Sequence, residues 1–200
     1  MALARNPEQT APPAGLARGR ALRHNAAMPG YLNQILLSQF EAALCMLRSC
    51  IAACPEEHWE GKIAQGTFRW VAYHTLFFAD VYLSRGEKDF TPRELHKIGG
   101  DELQPFPAPG LSREQSLEYA AIVRQKAIEM IGADTAETLE ADCGFSWRKF
   151  SRGEMHIYNI RHIQHHAGQL SAYLRRVDDR YKDRKSLPWI GAGWKEAALT

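Results

Sequence analysis

The stretch YNIRHIQHHAGQLSAYLR, residues 158–175, places three of the chain's eight histidines within five positions. His162 and His166 are four residues apart, so they share one face of an α-helix, which turns once in about 3.6 residues. His165 points roughly 100° away from His166 and, on the other side, roughly 60° away from His162. The face of His162 and His166 mixes apolar and polar residues, which is typical of a buried face that carries a site. Its members are Met155, Tyr158, Asn159, Gln169, Leu170 and Tyr173.

A further candidate lies in an apolar segment, FRWVAYHTLFFADVYLSRG, residues 68–86. His74 has large apolar side chains one helical turn before it and one turn after it, so it is predicted to face inward from the most apolar stripe of its helix. These neighbours are Trp70, Val71, Phe77 and Phe78. A lone inward histidine is commonly a core residue bonded to a nearby carbonyl, and for His74 that interpretation stays open beside a ligand role.

Three interpretations of the histidines are open from the residues alone. They line a solvent-exposed face, they form a buried hydrogen-bonded network with neighbouring Tyr and Gln side chains, or they bind a metal. Neutral imidazoles are costly to bury without partners, and one divalent cation would satisfy three of them at once. Proteins use sites with three ligands and an open fourth position for chemistry. The pattern therefore favours a metal site formed by His74, His162 and His166.

Hydrophobic periodicity predicts four long amphipathic helices. They run from Tyr31 to Pro55, from Thr67 to Gly86, from an N-cap at Ser112 to Gly132, and from about Glu154 to Val177. Ser112 is followed three residues later by Gln115, the spacing of a capping box. Prolines and glycines fill the segment 87–110, which is predicted to be a long loop with a short turn around PRELHKI.

This order of elements predicts the fold class. Four amphipathic helices without an alternating strand pattern indicate an all-α fold, a four-helix bundle with a long crossover between helices 2 and 3. Residues 28–200 are expected to form a single domain with a C-terminal tail, and residues 1–27 a flexible N-terminal arm. Pro188, Trp189 and Trp194 of the tail are expected to dock on the bundle or on a second subunit, which makes a homodimer the expected assembly.

Composition narrows the classes of partner. A net charge of +2 with both signs mixed along the chain is not the footprint of a nucleic-acid-binding protein. No apolar run approaches the roughly 20 residues that a membrane span needs. The four cysteines form no CxxC pair, which favours a reducing, cytoplasmic setting. We therefore expect a cytoplasmic protein with neither nucleic acid nor membrane as a partner.

The remaining ionisable residues give weaker candidates. Asp80 lies six residues after His74 and points elsewhere on the same helix, so it is a weak ligand candidate. No carboxylate at a helical offset faces His162, which disfavours a general base beside the site. The other histidines are interpreted as ordinary surface or loop residues: His24, His58, His96 and His156.

Taken together, YNIRHIQHHAGQLSAYLR and WVAYHTLFFADVYL resemble the DinB/YfiT-like superfamily over about residues 31–178, with HHAGQL as the most specific portion. The resemblance implies a four-helix bundle with a crossover between helices 2 and 3. It also implies a divalent metal, often zinc or nickel, held by His74, His162 and His166. His165, together with Tyr158 and Gln169, is expected to surround the ligands and not to bind the metal.

The resemblance implies a metalloenzyme that activates a low-molecular-weight thiol for S-transfer to a small electrophile. A hydrolase that uses a metal-bound water is one alternative, and a non-catalytic, stress-related metal-binding dimer is another. In the first two cases the metal would lower the pKa of a bound thiol or water. The pocket for the small-molecule substrate is expected to be walled by the loop 87–110 and by the connector DCGFSWRKF, residues 142–150.

Overall fold

The computed structural model describes residues 28–63, 66–99, 110–183, 187 and 189–196. Within these ranges the chain is mostly helical, and the prediction of an all-α fold is confirmed. The predicted N-terminal arm, His24 and Pro188 lie outside the described residues. The helices are α1 (Met28–Ala53), α2 (Phe68–Leu83), α3 (Glu94–Gly99), α4 (Arg113–Gly132), α5 (Ala136–Glu140) and α6 (Arg152–Val177). A small antiparallel hairpin, β1 (Lys62–Ile63) and β2 (Gly66–Thr67), precedes α2.

Side-chain caps set where the helices begin. Ser112 and Gln115 form the predicted capping box, with the Ser112 side chain accepting from the Gln115 amide and the Gln115 side chain accepting from the Ser112 amide. Ser151 and Glu154 form an equivalent box, which is why α6 starts at Arg152, two residues earlier than predicted. The turn predicted around PRELHKI is α3, inside the crossover between α2 and α4.

The four long helices contact one another in a closed ring, in the order α1, α6, α2, α4 and back to α1. Hydrogen bonds between them show the directions. Asn33 near the start of α1 bonds the Asp134 carbonyl just after α4, so α1 and α4 are antiparallel. The Cys50 thiol bonds the Ala167 carbonyl, both in the second half of their helices, so α1 and α6 are parallel. The antiparallel partner of α2 is α6, where Asn159 bonds the Ala79 carbonyl.

A buried ionic cluster closes one end of this ring. Both carboxylate oxygens of Asp134 accept from Arg152 Nε at 2.9 Å, and one also lies 2.7 Å from His156 Nε2. Arg152 donates further bonds to the carbonyls of Leu83 and Ser84 at the end of α2. Burial opposes the charged form of Asp134, but the bonds from His156 and Arg152 hold the pKa of its carboxyl below the ordinary value.

His156 corrects a sequence interpretation. It was expected at the surface, but it is 0% exposed. Its position in α6 gives no warning of this, because its carboxylate partner lies 22 residues earlier, in the turn after α4. The cluster therefore joins the ends of α2, α4 and α6 through partners that are distant in sequence.

A second buried polar cluster lies on the side of α2 that faces α4. Asp80 accepts from Lys126 Nζ at 2.6 Å and from Arg93 Nε and the Tyr119 hydroxyl, each at 3.0 Å. His96, also interpreted as a surface or loop residue, is only 7% exposed, and its Nε2 lies 2.6 Å from the Tyr119 hydroxyl. Asp80 is thus committed to ion pairs away from His74, and the cluster ties the crossover to both helices.

The C-terminal tail docks on the outside of α1 and α4 of the same chain. The Trp194 ring lies between the guanidinium groups of Arg48 and Arg124, 5.3 Å and 4.5 Å from its centroid. The Gly193 amide donates to the Ser38 carbonyl at 2.9 Å. Trp189 behaves differently, because 75% of its surface is exposed.

Among the described residues, one segment, Gly30–Ala53, is long and apolar enough by length and composition to cross a membrane, and a stretch of 18 residues within it has a mean hydropathy of 1.5. Polar and charged residues such as Gln39, Glu41 and Arg48 interrupt this segment, so it contains no uninterrupted apolar run of that length. The observation is weak support for a span, since the core helix of a globular protein meets the same criterion. Here 56% of the 18-residue stretch is buried, and α1 packs against α4 and α6.

Asp134→Asn tests the cluster that closes the ring. The variant keeps the shape of the side chain but removes the charge between Arg152 and His156. We expect the free energy of unfolding to fall by about 3 kcal/mol, because a buried cation that loses its partner is strongly destabilising. Urea unfolding followed by circular dichroism measures the change. Asp179→Asn, which alters an exposed surface ion pair, is the matched control and should leave the midpoint nearly unchanged. Equal effects of the two variants would contradict the role of the cluster.

Candidate metal centre

The structure brings together the three histidines that the sequence pattern selected. His74 comes from α2, and His162 and His166 come from α6. One ring nitrogen from each lies within 4.8 Å of the other two. The ring centroids are 5.4 Å apart for His74 and His162, 5.0 Å for His74 and His166, and 4.6 Å for His162 and His166. Three imidazoles from two helices therefore converge on one point.

The α2–α6 register produces this convergence. Asn159 is fully buried and donates to the Ala79 carbonyl at 3.0 Å, which fixes the two antiparallel helices along their axes. His162 follows Asn159 by about one turn, and His74 precedes Ala79 by about one turn and a half. His74 and His162 therefore lie on the same side of this bond, at similar distances from it along the helix axes, and face each other. His166 follows one turn later on the same face of α6.

The sequence predicted that His74 faces inward from the most apolar stripe of its helix. In the structure His74 lies at the edge of the buried face of α2 and not at its centre. Its ring is half-buried and packs between Trp70 and Phe78, with each centroid 4.9 Å away. The fully buried line of α2 runs along a neighbouring face: Phe68, Ala72, Thr75, Leu76, Ala79 and Leu83. The apolar stripe around His74 thus shields the imidazole while leaving one side open toward α6.

The donor set fits a divalent metal. Nε2 of His74 and Nε2 of His162 are 3.5 Å apart. Two nitrogens that bind one tetrahedral zinc ion at about 2.0–2.1 Å are about 3.4 Å apart, so the observed separation is close to the one required. Within the described part of the chain, the group that could hold a metal consists of these three histidines. Three neutral ligands leave a coordination position open and the metal's charge uncompensated.

Burial keeps two of the three candidate ligands in the form that binds metal. It is the main cause that lowers the pKa of His162 to about 3, and the neighbouring His166 and His74 lower it further. Burial also lowers the pKa of His166 to about 4, although a hydrogen bond to Gln169 opposes the shift. Both imidazoles are consequently neutral at pH 7, and only a neutral imidazole has a lone pair free for a metal.

Gln169 connects His166, a candidate ligand, to His165. Its Oε1 lies 2.8 Å from His166 Nδ1, and its Nε2 lies 3.1 Å from His165 Nε2. When Oε1 accepts from His166 Nδ1–H, the Nε2 lone pair of His166 is left for a metal. His165 is exposed and lies outside the ligand group. This geometry fits the predicted supporting roles of Gln169 and His165, which stay predictions.

Two side chains at the site were not selected from the sequence. The Tyr82 ring contacts those of His162 and Tyr158, at centroid distances of 6.0 Å and 5.4 Å. Burial, reinforced by Tyr158, raises the pKa of Tyr82 to about 12, so its phenol stays neutral. Arg148 donates to the Tyr158 hydroxyl at 2.8 Å and lies 4.9 Å above its ring. Tyr82 continues the spacing of Trp70, His74 and Phe78, a signal that was available, whereas nothing in the connector sequence singles out Arg148.

Two glycines hold the connector that carries Arg148 against the end of α2. Gly86 and Gly144 both have positive φ, +141° and +79°, and the Glu87 amide donates to the Gly144 carbonyl. A Cβ on Gly144 would lie 2.3 Å from the Arg85 carbonyl oxygen, and one on Gly86 would lie 2.6 Å from the Gly144 carbonyl oxygen. Only glycine allows the two backbones to approach this closely.

A cavity of about 450 Å³ opens beside His162. Its described lining belongs to α6 alone: Tyr158, Arg161, His162, Gln164 and His165. The connector, predicted as one wall, reaches this cavity through the bond from Arg148 to Tyr158. The loop 87–110, predicted as the other wall, instead packs its described residues Phe90 and His96 against Phe77 and Tyr119, on the Asp80 side. Residues 100–109 lie outside the described chain.

Comparison with known proteins places the chain in a family. A family model described as the DinB superfamily matches residues 39–170. The chain belongs to the DinB superfamily. The match includes His74, His162 and His166, and superfamily members typically bind a metal, which the histidine group of this DinB protein could hold. Searches of curated proteins and of solved structures gave no match.

His162→Ala tests whether the DinB histidine group is a metal site. Protein purified without a polyhistidine tag and loaded with zinc should retain about one ion per chain, and the variant only a trace, because two imidazoles hold zinc far less tightly than three. Plasma mass spectrometry after gel filtration measures the content. His165→Ala removes an exposed imidazole three residues away and should keep the full amount. Equal zinc in all three proteins would contradict the assignment.

Gln169→Leu tests the orienting bond to His166. We expect roughly tenfold weaker zinc binding with the fold intact, because a lost hydrogen bond to a ligating histidine typically costs this much or more. Competition with a chromophoric chelator measures the affinity. Gln164→Leu removes an amide on the same helix that bonds Met46 and not a ligand histidine. An equal loss in both variants would show that Gln169 does not act through His166.

Proposed function

We propose that this DinB protein is a divalent-metal enzyme that activates a low-molecular-weight thiol for S-transfer to a small electrophile. The observation that carries the proposal is the convergence of His74, His162 and His166, half-buried beside a cavity that could admit a small molecule. Zinc or nickel is the expected metal, since imidazole ligands suit both. When bound, the ion would supply a Lewis acid that lowers the pKa of a thiol to near neutrality.

The ligand charges favour an anionic nucleophile. All three protein ligands are imidazoles, so a divalent ion would keep its double positive charge, and a thiolate would reduce it. Trp70 and Phe78 pack on His74, and Phe78 and Tyr82 pack on His162, so one side of the site is shielded from water. In this environment the attraction between a thiolate and a cation is stronger than in bulk water.

The hydrolase alternative has less support from the surroundings. Activation of a water for hydrolysis is usually assisted by a general base within hydrogen-bond reach. No carboxylate occurs among the described residues that line the cavity beside His162. A thiol needs no such base once its pKa is lowered, because its proton can pass to solvent through the open cavity. S-transfer is therefore the preferred proposal, ahead of hydrolysis and of a non-catalytic metal-binding role.

A cytoplasmic homodimer is the proposed setting. The four cysteines are free and buried, as expected in a reducing compartment. Tyr31, Leu32 and Ile35 expose apolar surface on one side of α1 near its start, and this surface would suit contact with a second copy. Small molecules, namely the thiol and the electrophile, are the proposed partners.

A thiol panel tests the activity. Zinc- or nickel-loaded protein, with a set of low-molecular-weight thiols and a reactive aryl halide or epoxide, should accelerate thiol-dependent loss of the electrophile, measured by chromatography and mass spectrometry. His74→Ala should reduce the rate to that of the reaction without enzyme, whereas His58→Ala, which removes a histidine outside the group, should retain it. Metal-dependent turnover without thiol would support the hydrolase instead. Bound metal without either activity would leave the non-catalytic role.

A further inference from the structure

Arg148 carries a charge without a counterion beside the histidine group. It is half-buried, and its donors reach the Tyr158 hydroxyl at 2.8 Å and, at 3.4 Å, the carbonyl of the adjacent Trp147. Its Nε is buried without a hydrogen-bond partner. Within the described part of the chain Arg148 forms no ion pair with a carboxylate. A guanidinium without a carboxylate partner is available to pair with an anionic group of a ligand.

The neighbouring cavity has the matching electrostatic character. Tyr158, which holds Arg148, lines the cavity together with His162, Arg161 and His165. Arg161 is exposed and, among the described residues, also has no carboxylate partner. The described lining contains no acidic residue. Arg161 in the lining, Arg148 on the hydroxyl of Tyr158 and a divalent cation at the histidine group would thus give this cavity a positive potential.

Arg148 itself lines a second cavity, of about 580 Å³, and reaches the cavity beside His162 through its bond to Tyr158. The carboxylates that line this second cavity already accept hydrogen bonds from the backbone. Glu87, Asp89 and Asp142 accept from the amides of Ser146, Arg85 and Gly144, respectively. Lys149 lines the second cavity and not the cavity beside His162, whereas Arg161 lines the cavity beside His162 and not the second one. These two residues therefore distinguish the cavities experimentally.

We propose that the cavity beside His162 binds the carboxylate or other anionic group of a small-molecule substrate, with Arg148 and Arg161 as the residues that recognise it. This inference rests on the proposed function, in which a metal held by the histidine group activates a thiol. It adds the chemical class of the substrate, which carries an anionic group. The planar guanidinium of Arg148, held in place by Tyr158, can pair with both oxygens of a carboxylate. The reacting sulfur or carbon would then be directed toward the open side of the histidine group.

Two thiols that differ in charge test the proposal on cobalt-loaded protein. The probes are 3-mercaptopropionate, which is anionic, and 2-mercaptoethanol, which is neutral and similar in length. Binding is followed by the near-ultraviolet absorbance that thiolate coordination to cobalt produces. We expect the wild-type protein to bind 3-mercaptopropionate about tenfold more tightly, a ratio typical of one additional charge-assisted hydrogen bond.

Variants assign the preference to residues. Arg148→Met and Arg161→Met should each reduce the affinity ratio to below about threefold, while 2-mercaptoethanol binding and cobalt content stay unchanged. Arg148→Lys should keep part of the ratio, because it keeps the charge without the planar fork. Lys149→Met is the matched control for charge lost at an adjacent position and should keep the full ratio. Circular dichroism melting verifies that each variant is folded.

The same titrations on metal-free protein separate this proposal from the proposed function. Tryptophan fluorescence is the signal, since Trp147 adjoins Arg148 and is partly exposed. Failure to bind cobalt would refute the metal site, while an Arg148-dependent preference for 3-mercaptopropionate in metal-free protein would still support the anion site. Equal binding of both thiols in both states would overturn the anion site. So would a preference that survives Arg148→Met, or one that is lost in Lys149→Met.

Discussion

The hydrogen bond from Asn159 to the Ala79 carbonyl is the contact on which the candidate site depends. It is buried between two antiparallel helices, where breaking it would leave a carbonyl and an amide without water. A slip of α6 along α2 by one turn would break this bond and move His162 about 5.4 Å from its place opposite His74. The geometry of the histidine group is therefore set by a polar contact that does not itself involve the histidine rings.

The buried polar residues divide into two kinds. Asp80 and Asp134 are surrounded by cations and donors, and each joins elements that are far apart in the sequence. Among the described residues, no carboxylate belongs to the histidine group, although its rings are also half-buried. The fold thus pairs its buried carboxylates with cations at the end of the helix ring and beside the crossover, whereas the histidine group consists of imidazoles alone. This difference separates a structural cluster from a candidate site more clearly than burial does.

Periodic features were predictable from the sequence, and contacts between distant segments were not. The apolar repeats gave the four long helices, and the Ser112 capping box gave the start of α4. The spacing of His162 and His166 gave their common face, and the apolar stripe of α2 gave the inward direction of His74. His96 and His156 were misread because Tyr119 and Asp134, which bury them, come from other elements. Arg148 had no sequence signal, since it lies in an aperiodic connector that only the fold brings to Tyr158.

The contact between Gly86 and Gly144 has a consequence for sequence variation. Neither residue can contribute a functional group, yet their close approach fixes the connector from which Arg148 reaches Tyr158. An alanine at either position would force the two loops apart and displace a guanidinium several residues away. The proposed anion specificity would therefore depend partly on two residues without side chains. Homologues in which these glycines are replaced are therefore expected to differ in ligand preference while they keep the same three histidines.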